Sequence, residues 1–296
     1  MPPVVAFFFT WQFDPIAFGV VVVALTAYTA GIVAAARRGR HWPLSRSAGF
    51  YLLGMGSYVW VSFGVLGTYS VDLRWAFTTR IALLLLVVPA LISLGRPVLL
   101  AKAALSDTAG KRLDRFLDSR LIRFTGNAVF EPVFSVAIFL IFLTPLSGLI
   151  RGSPLGQAGV TLLIPVIGLL TIIPIFENTT RHTSFFVTIE FVLAFAAFVF
   201  DPIPGILLRI NETVLDQVAA PSAMMLPWFP NPLRDQQLSG DILWLLAEIV
   251  DVPILIILII RWNRIDRSEA KTLDDLSDEE MQALTEQHLR GPHRHQ

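Results

Sequence analysis

Long apolar runs recur along the whole chain, separated by short polar, glycine- or proline-bearing breaks. Each run is close to the ~20 residues that cross a bilayer core of ~30 Å at ~1.5 Å rise per residue. On this pattern we predict seven membrane-spanning helices, at about 16–36, 48–66, 75–95, 130–150, 157–176, 183–200 and 241–261. Two stretches between spans are amphipathic rather than apolar. The first, 96–125, is basic; a helix is predicted around Lys111–Phe124 with Leu113, Phe116, Leu117 and Leu121 on one face, suited to lying on an anionic inner leaflet. The second, 203–232, is amphipathic from Ile206 to Leu226 and then turn-rich in the sequence PWFPNP, which suits a helix resting on the outer surface or capping the bundle. The end of the chain is polar. Ser277 with Glu280 forms a capping box for a short helix through about Leu289, and Gly291-Pro292 ends it. The expected fold is therefore all-α: a polytopic seven-helix membrane domain over 1–265 and a polar tail over 266–296.

Composition agrees with the pattern. The 296 residues are 54% hydrophobic and only 16% charged, with a mean hydropathy of +0.64; a soluble domain carries nearer ~25% charged residues. Net charge is zero, so no bulk field argues for nucleic acid as a partner. The chain has no cysteine, which excludes disulfides, thiolate metal sites and thiol catalysis. The opening MPPVVAFFFTWQFDP lacks a basic leader region, so the first helix is expected to remain as an anchor. Most of the 23 lysines and arginines fall in the first and third connections and in the tail. By the positive-inside rule the N-terminus is then outside and the C-terminus cytoplasmic.

Ionisable residues within the spans carry the candidate chemistry. Asp241, Glu248 and Asp251 fall with Trp244 on one helical stripe of the last span, expected to turn inward while leucine, isoleucine and valine face lipid. Arg80 lies roughly 7–8 Å inside the third span and Glu248 roughly 10 Å inside the last. The similar depth predicts an Arg80–Glu248 ion pair, structural or functional. Glu190 and Asp251 lie near mid-membrane, where two carboxylates can share a proton, bind a cation or stay protonated.

All five histidines, His41, His182, His288, His293 and His295, fall at or beyond the cytoplasmic face in this topology. Met224 and Met225 fall outside, where thioethers suit Cu(I) or simply anchor an interfacial helix. No nucleophile–base pair, phosphate loop or dinucleotide fingerprint is visible, so no enzyme is expected.

A set of ordered motifs runs across nearly the whole membrane region. It comprises Trp11 and Asp14-Pro15; Tyr28, Gly31, Arg38-Gly39, Trp42-Pro43, Arg46, Phe50 and Gly54; Pro89, Leu91, Leu94-Gly95 and Pro97; Asp201-Pro202-Ile203-Pro204; and Asp235-Gln236, Gly240, Trp244, Glu248, Trp262, Asp266 and Glu269-Ala270. In these the chain resembles the bacterial cytochrome c oxidase assembly factors of the CtaG type, in their actinobacterial form. The resemblance implies a seven-helix protein of the bacterial cytoplasmic membrane that assists oxidase maturation and copper supply, with oxidase subunits and the lipid bilayer as partners. One motif differs. The family's third span usually opens H-M-x-x-H-M, but counting back from Pro89 those positions hold Phe77 and Ile81, with Thr78 beside the first and Arg80 in the same turn. The family's outer histidine after the sixth span is also missing from Ala219 to Trp228. Three roles follow as expectations. One is an assembly factor acting as a scaffold, or contacting copper through Met224 and Met225. The second is a diverged, non-metal-binding paralogue with the Arg80–Glu248 pair as a structural lock. The third is a small proton-coupled transporter using Glu190 and Asp251.

Overall fold

The computed structural model describes residues 4–117, 119–120, 130–177, 191–192, 194–196, 198–216 and 231–274, and among them no strand occurs. We label the helices α1 (Val4–Phe9), α2 (Pro15–Arg37), α3 (Leu44–Tyr69), α4 (Arg74–Ser93), α5 (Pro97–Ala104), α6 (Asp107–Leu117), α7 (Phe130–Ile141), α8 (Leu146–Gly152), α9 (Pro154–Glu177), α10 (Pro202–Ile210) and α11 (Pro232–Asp274). Among the described residues, four helical stretches are long and apolar enough to cross a membrane: Pro15–Arg37, Leu44–Tyr69, Arg74–Ser93 and Pro154–Ile173.

Local chemistry sets the boundaries. Asp14 caps α2, its Oδ1 accepting from the backbone N–H of Ile16 and Ala17 at 2.8 and 3.1 Å, and Pro15 supplies a preset first turn. The helix stops where Gly39 takes φ +73°, a left-handed value that glycine adopts without steric cost. α3 is interrupted at Gly64, and the Phe63 carbonyl is taken up by the N–H of Gln12 at 2.8 Å.

The expected span at 130–150 is two helices, α7 and α8, because Pro145 lacks an N–H and disfavours helical geometry at Thr144. The basic connection likewise holds two helices, α5 and α6. α6 starts at Asp107, ahead of the expected Lys111, with an acidic first turn and with Ser106 Oγ accepting the Ala109 N–H. The amphipathic outer stretch is helical from Pro202 to Ile210 and irregular over 211–216. The final apolar run belongs to one helix that begins well before it, at Pro232. Most of the span expected at 183–200, the amphipathic stretch beyond 216 and the tail beyond 274 lie outside the described residues.

α4 is the axis of the bundle. Of its most apolar window 72% is buried, against 11% for α2. Near its middle, Leu83–Val87 form a π-helical turn, and Pro89 has no N–H to offer the Leu85 carbonyl. Gly168 of α9 packs at this place: a Cβ on it would lie 2.1 Å from the Leu85 carbonyl oxygen and 2.6 Å from the Pro89 ring. α10 crosses α11 by a similar contact, in which Gly205 and Gly240 meet backbone to backbone.

Candidate functional site

The first turn of α4 needs help that its own sequence does not give. Its N-cap residue, Leu73, has no side-chain oxygen, so the leading backbone N–H groups are orphans. Asp235 of α11 meets them: Oδ2 accepts from Arg74 N at 2.8 Å and Oδ1 from Trp75 N at 3.0 Å. A buried carboxylate thus caps a helix far away in sequence, where the macrodipole also favours negative charge. Beside it, Gln236 is fully enclosed. Its Oε1 accepts from Arg74 Nη1 at 2.8 Å and from the Leu215 N–H at 2.9 Å, while Nε2 donates to the Thr213 carbonyl at 2.9 Å. Arg74 Nη2 also donates to the Phe142 carbonyl. One step along, the hydroxyls of Thr78 and Ser239 bond across the α4–α11 contact.

Two more arginines extend the network. Arg151 of α8 pairs with Asp216 through Nη2 and Nε at 2.9 and 3.1 Å, and its Nη1 reaches the Val71 carbonyl at 2.9 Å. Arg80, two turns down α4, donates to Gln157 Oε1 at 2.7 Å, Thr161 Oγ1 at 2.8 Å and Ser70 Oγ at 3.2 Å. Its carboxylate partner is Asp14, at 3.8 Å, whose other oxygen caps α2. Gln157 joins the two halves by donating to the Arg151 carbonyl at 2.9 Å. Arg74, Arg80 and Arg151 are thereby balanced by Asp14, Asp216 and Asp235, so the network is electrically neutral. Burying charge in an apolar bundle requires this compensation, since an unpaired ion there costs several kcal/mol (~3–5). The Nε atoms of Arg74 and Arg80 have no acceptor among the described residues.

The Arg80–Glu248 pair expected from depth is not formed. Glu248 Oε1 instead accepts from Trp244 Nε1 at 2.6 Å, and Trp244 is 44% exposed. Asp241 pairs with Arg209 of α10 at 2.9 Å, at a partly exposed position. The stripe of Asp241, Trp244 and Glu248 therefore does not face α4. Asp235, Ser239, Leu243 and Ala247, successive i, i+4 positions, make the buried face of α11. Depth along a helix fixes the level of a side chain but not its azimuth. Asp201, in the Asp-Pro motif before α10, is buried, and Trp11 is exposed with its Nε1 donating to the Phe8 carbonyl at 2.8 Å. Glu190, Met224, Met225 and the side chain of Asp251 lie outside the described residues.

Sequence reasoning missed Arg74, Arg151, Asp216 and Gln157. A signal existed for Gln157, which with Thr161 forms an i, i+4 polar pair in an otherwise apolar helix. Arg151 directly follows a predicted span and Asp216 falls in the amphipathic outer stretch, so both look like ordinary connection charges.

Phe77 and Ile81 stand at the turn where the resemblance would put copper ligands. They line a cavity of about 270 Å³ together with Ile138, Phe142, Val160 and Ile164, and Phe77 meets Phe142 edge-on at 6.2 Å between centroids. These two side chains offer only carbon, so the turn does not fit copper. No cluster of three or more histidine, aspartate or glutamate side chains with metal-holding geometry occurs among the described residues.

At the opposite end of α4 a second set of motif residues converges. Tyr28 stacks on Phe50 at 3.8 Å and donates to the Gly95 carbonyl at 2.8 Å, while Trp42 Nε1 donates to the Tyr28 hydroxyl at 3.1 Å. Arg46 lies over the Trp42 ring at 5.0 Å. The motifs that carry the resemblance thus pin α2, α3 and α4 together at this end and α4 to α11 at the other.

The chain matches the family model of the cytochrome c oxidase caa3 assembly factors (Caa3_CtaG) over residues 26–265. Among curated proteins, the uncharacterized protein Mb0105 of Mycobacterium bovis is 29% identical over 299 residues, covering 95% of this chain and 44% of the relative. The uncharacterized protein ML1998 of Mycobacterium leprae is 27% identical over 290 residues, covering 94% of this chain and 43% of the relative. The chain therefore spans less than half the length of the curated relatives it matches. No solved structure matches.

Proposed function

Since this chain belongs to the cytochrome c oxidase caa3 assembly factor family, we propose that it assists oxidase maturation as a non-catalytic scaffold for oxidase subunits. In this proposal it sits in the bacterial cytoplasmic membrane with seven spans over 1–265, the N-terminus outside and the polar tail cytoplasmic. The observation that supports a scaffold is the neutral Arg74/Arg80/Arg151–Asp14/Asp216/Asp235 network. Its donors and acceptors are taken up mostly within the protein, and it fixes α2, α4, α8, α9 and α11 to one another. Such a frame holds a shape. Copper enters the proposal as cargo, with Met224 and Met225 as its thioether contacts.

The test is purification of the tagged full chain in a mild detergent from cells making a caa3-type oxidase. Oxidase subunits should co-purify, and deletion of the gene should lower oxidase-dependent oxygen uptake by membranes. Repeated purification without any oxidase subunit, together with unchanged uptake in the deletion strain, overturns the scaffold role.

A further inference from the structure

A groove on the lipid-facing side of α2, far from the charged network, has the shape and chemistry of a ligand site. It is an open groove of about 790 Å³ lined by Leu25, Thr26, Thr29, Ala30, Val33, Ala34, Arg37 and Arg38 of α2, with Ala104 of α5. Its chemistry is graded along its length. At one end are the guanidinium groups of Arg37 and Arg38; below them the wall is aliphatic. Both threonine hydroxyls are already committed, Thr26 Oγ1 to the Val22 carbonyl at 2.6 Å and Thr29 Oγ1 to the Leu25 carbonyl at 2.7 Å. Thr29 Oγ1 also meets the Tyr51 hydroxyl at 2.7 Å, so the hydroxyls of both threonines are engaged within the protein. From Leu25 to Arg37 the floor runs about 18 Å at ~1.5 Å per residue, close to one leaflet of a ~30 Å core.

The two arginines differ in availability. Arg38 donates through Nη1 to the Leu105 carbonyl, which ties the end of α2 to the end of α5. Arg37 has no carboxylate partner among the described residues. The neighbouring cation, Lys102, is engaged by Asp114 of α6 at 2.8 Å. A free cation at the polar end of an apolar channel one leaflet long calls for an amphiphile with an anionic head.

We propose that this groove is a binding site for an anionic phospholipid, its phosphate held by Arg37 and Arg38 and one acyl chain lying along Ala34, Val33, Ala30 and Leu25. Basic pockets between spanning helices hold anionic headgroups in this way, each arginine or lysine adding roughly fivefold in affinity. The site is independent of the assembly role.

Native mass spectrometry of the delipidated full chain, offered equimolar phosphatidylglycerol and phosphatidylcholine, tests it. The wild type should retain phosphatidylglycerol preferentially. Arg37→Gln, which breaks no contact within the described protein, should lower that retention about fivefold and leave phosphatidylcholine unchanged. Ala30→Trp, which fills the channel below the head, should remove phosphatidylglycerol without touching either arginine. Equal retention of the two lipids by the wild type overturns the proposal. So does phosphatidylglycerol retention that is unchanged in Arg37→Gln. If Ala30→Trp fails to fold, the Arg37→Gln comparison still decides.

Discussion

Removing the Asp235 carboxylate tests the central feature of the bundle, the capping of α4 by α11. In Asp235→Ala the N–H groups of Arg74 and Trp75, both buried residues, lose acceptors at 2.8 and 3.0 Å. Leaving a buried donor unsatisfied costs ~1–3 kcal/mol, so two cost about 2–6 kcal/mol. The substitution also leaves three buried arginines facing two aspartates, an imbalance in the same direction. The expected destabilisation is on the order of 3–5 kcal/mol. Asp235→Asn keeps one acceptor but sets an amide N–H against a backbone N–H, for about 1–3 kcal/mol. The control is Ser239→Ala, which removes one neutral hydroxyl pair with Thr78 and is expected to cost about 1 kcal/mol. The assay is equilibrium unfolding of the purified chain in mixed micelles, followed by circular dichroism. The order Ala > Asn > Ser239→Ala is the expected result. If Asp235→Ala costs no more than Ser239→Ala, the carboxylate is not holding the helix start and the reasoning is wrong.

Three further outcomes follow from the same geometry. Arg80→Gln should destabilise by about 3–5 kcal/mol because it strips the cation from Asp14, Gln157 and Thr161, whereas Glu248→Gln should stay within ~0.5 kcal/mol; equal effects in the same unfolding assay would restore the pairing expected from depth. Gly168→Ala drives a methyl into the Leu85 carbonyl and the Pro89 ring, and should cost at least about 1–3 kcal/mol, read as lost thermal stability and lower yield; a neutral result would separate α9 from α4 at this point. After Cu(I) loading and desalting, the wild type should retain copper and Met224→Leu/Met225→Leu should lose it, while Phe77→Leu should have no effect, measured as metal per chain. Copper retained by the double methionine variant removes the thioether site from the proposal.

The helical class and the limits of α2 could be read directly, because apolar length, the Asp14-Pro15 start and the Gly39 stop act locally. The two motif clusters were legible as motifs but not as contacts: nothing between Tyr28 and Gly95 says that a hydroxyl will bond that carbonyl. The interior of the charged network was harder. Asp235 was marked as a motif residue, yet its work is on a backbone 160 residues away, and capping from another helix leaves no periodic trace. Arg80 stands out in the sequence as a charge within an apolar run, and it is buried, but depth alone does not select its partner. Residues at one level on different helices outnumber those that also share an azimuth, and only packing selects among them. The break at Pro145 and the π turn ahead of Pro89 belong to the readable class, since both follow from a missing N–H.

The neutrality of the network has a consequence for a protein in an energised membrane. A charge moved across the full field gains or loses about 2.3 kcal/mol per 100 mV. Three positive and three negative side chains, fastened to one another, experience opposing forces that cancel at the level of the cluster. Collapse or restoration of the membrane potential then does almost no net work on this end of the bundle. In the cytoplasmic membrane proposed for this chain, the intact network would feel almost no net force from the potential, while a variant lacking a single member, such as Arg80→Gln, would carry an uncompensated charge and with it a sensitivity to voltage.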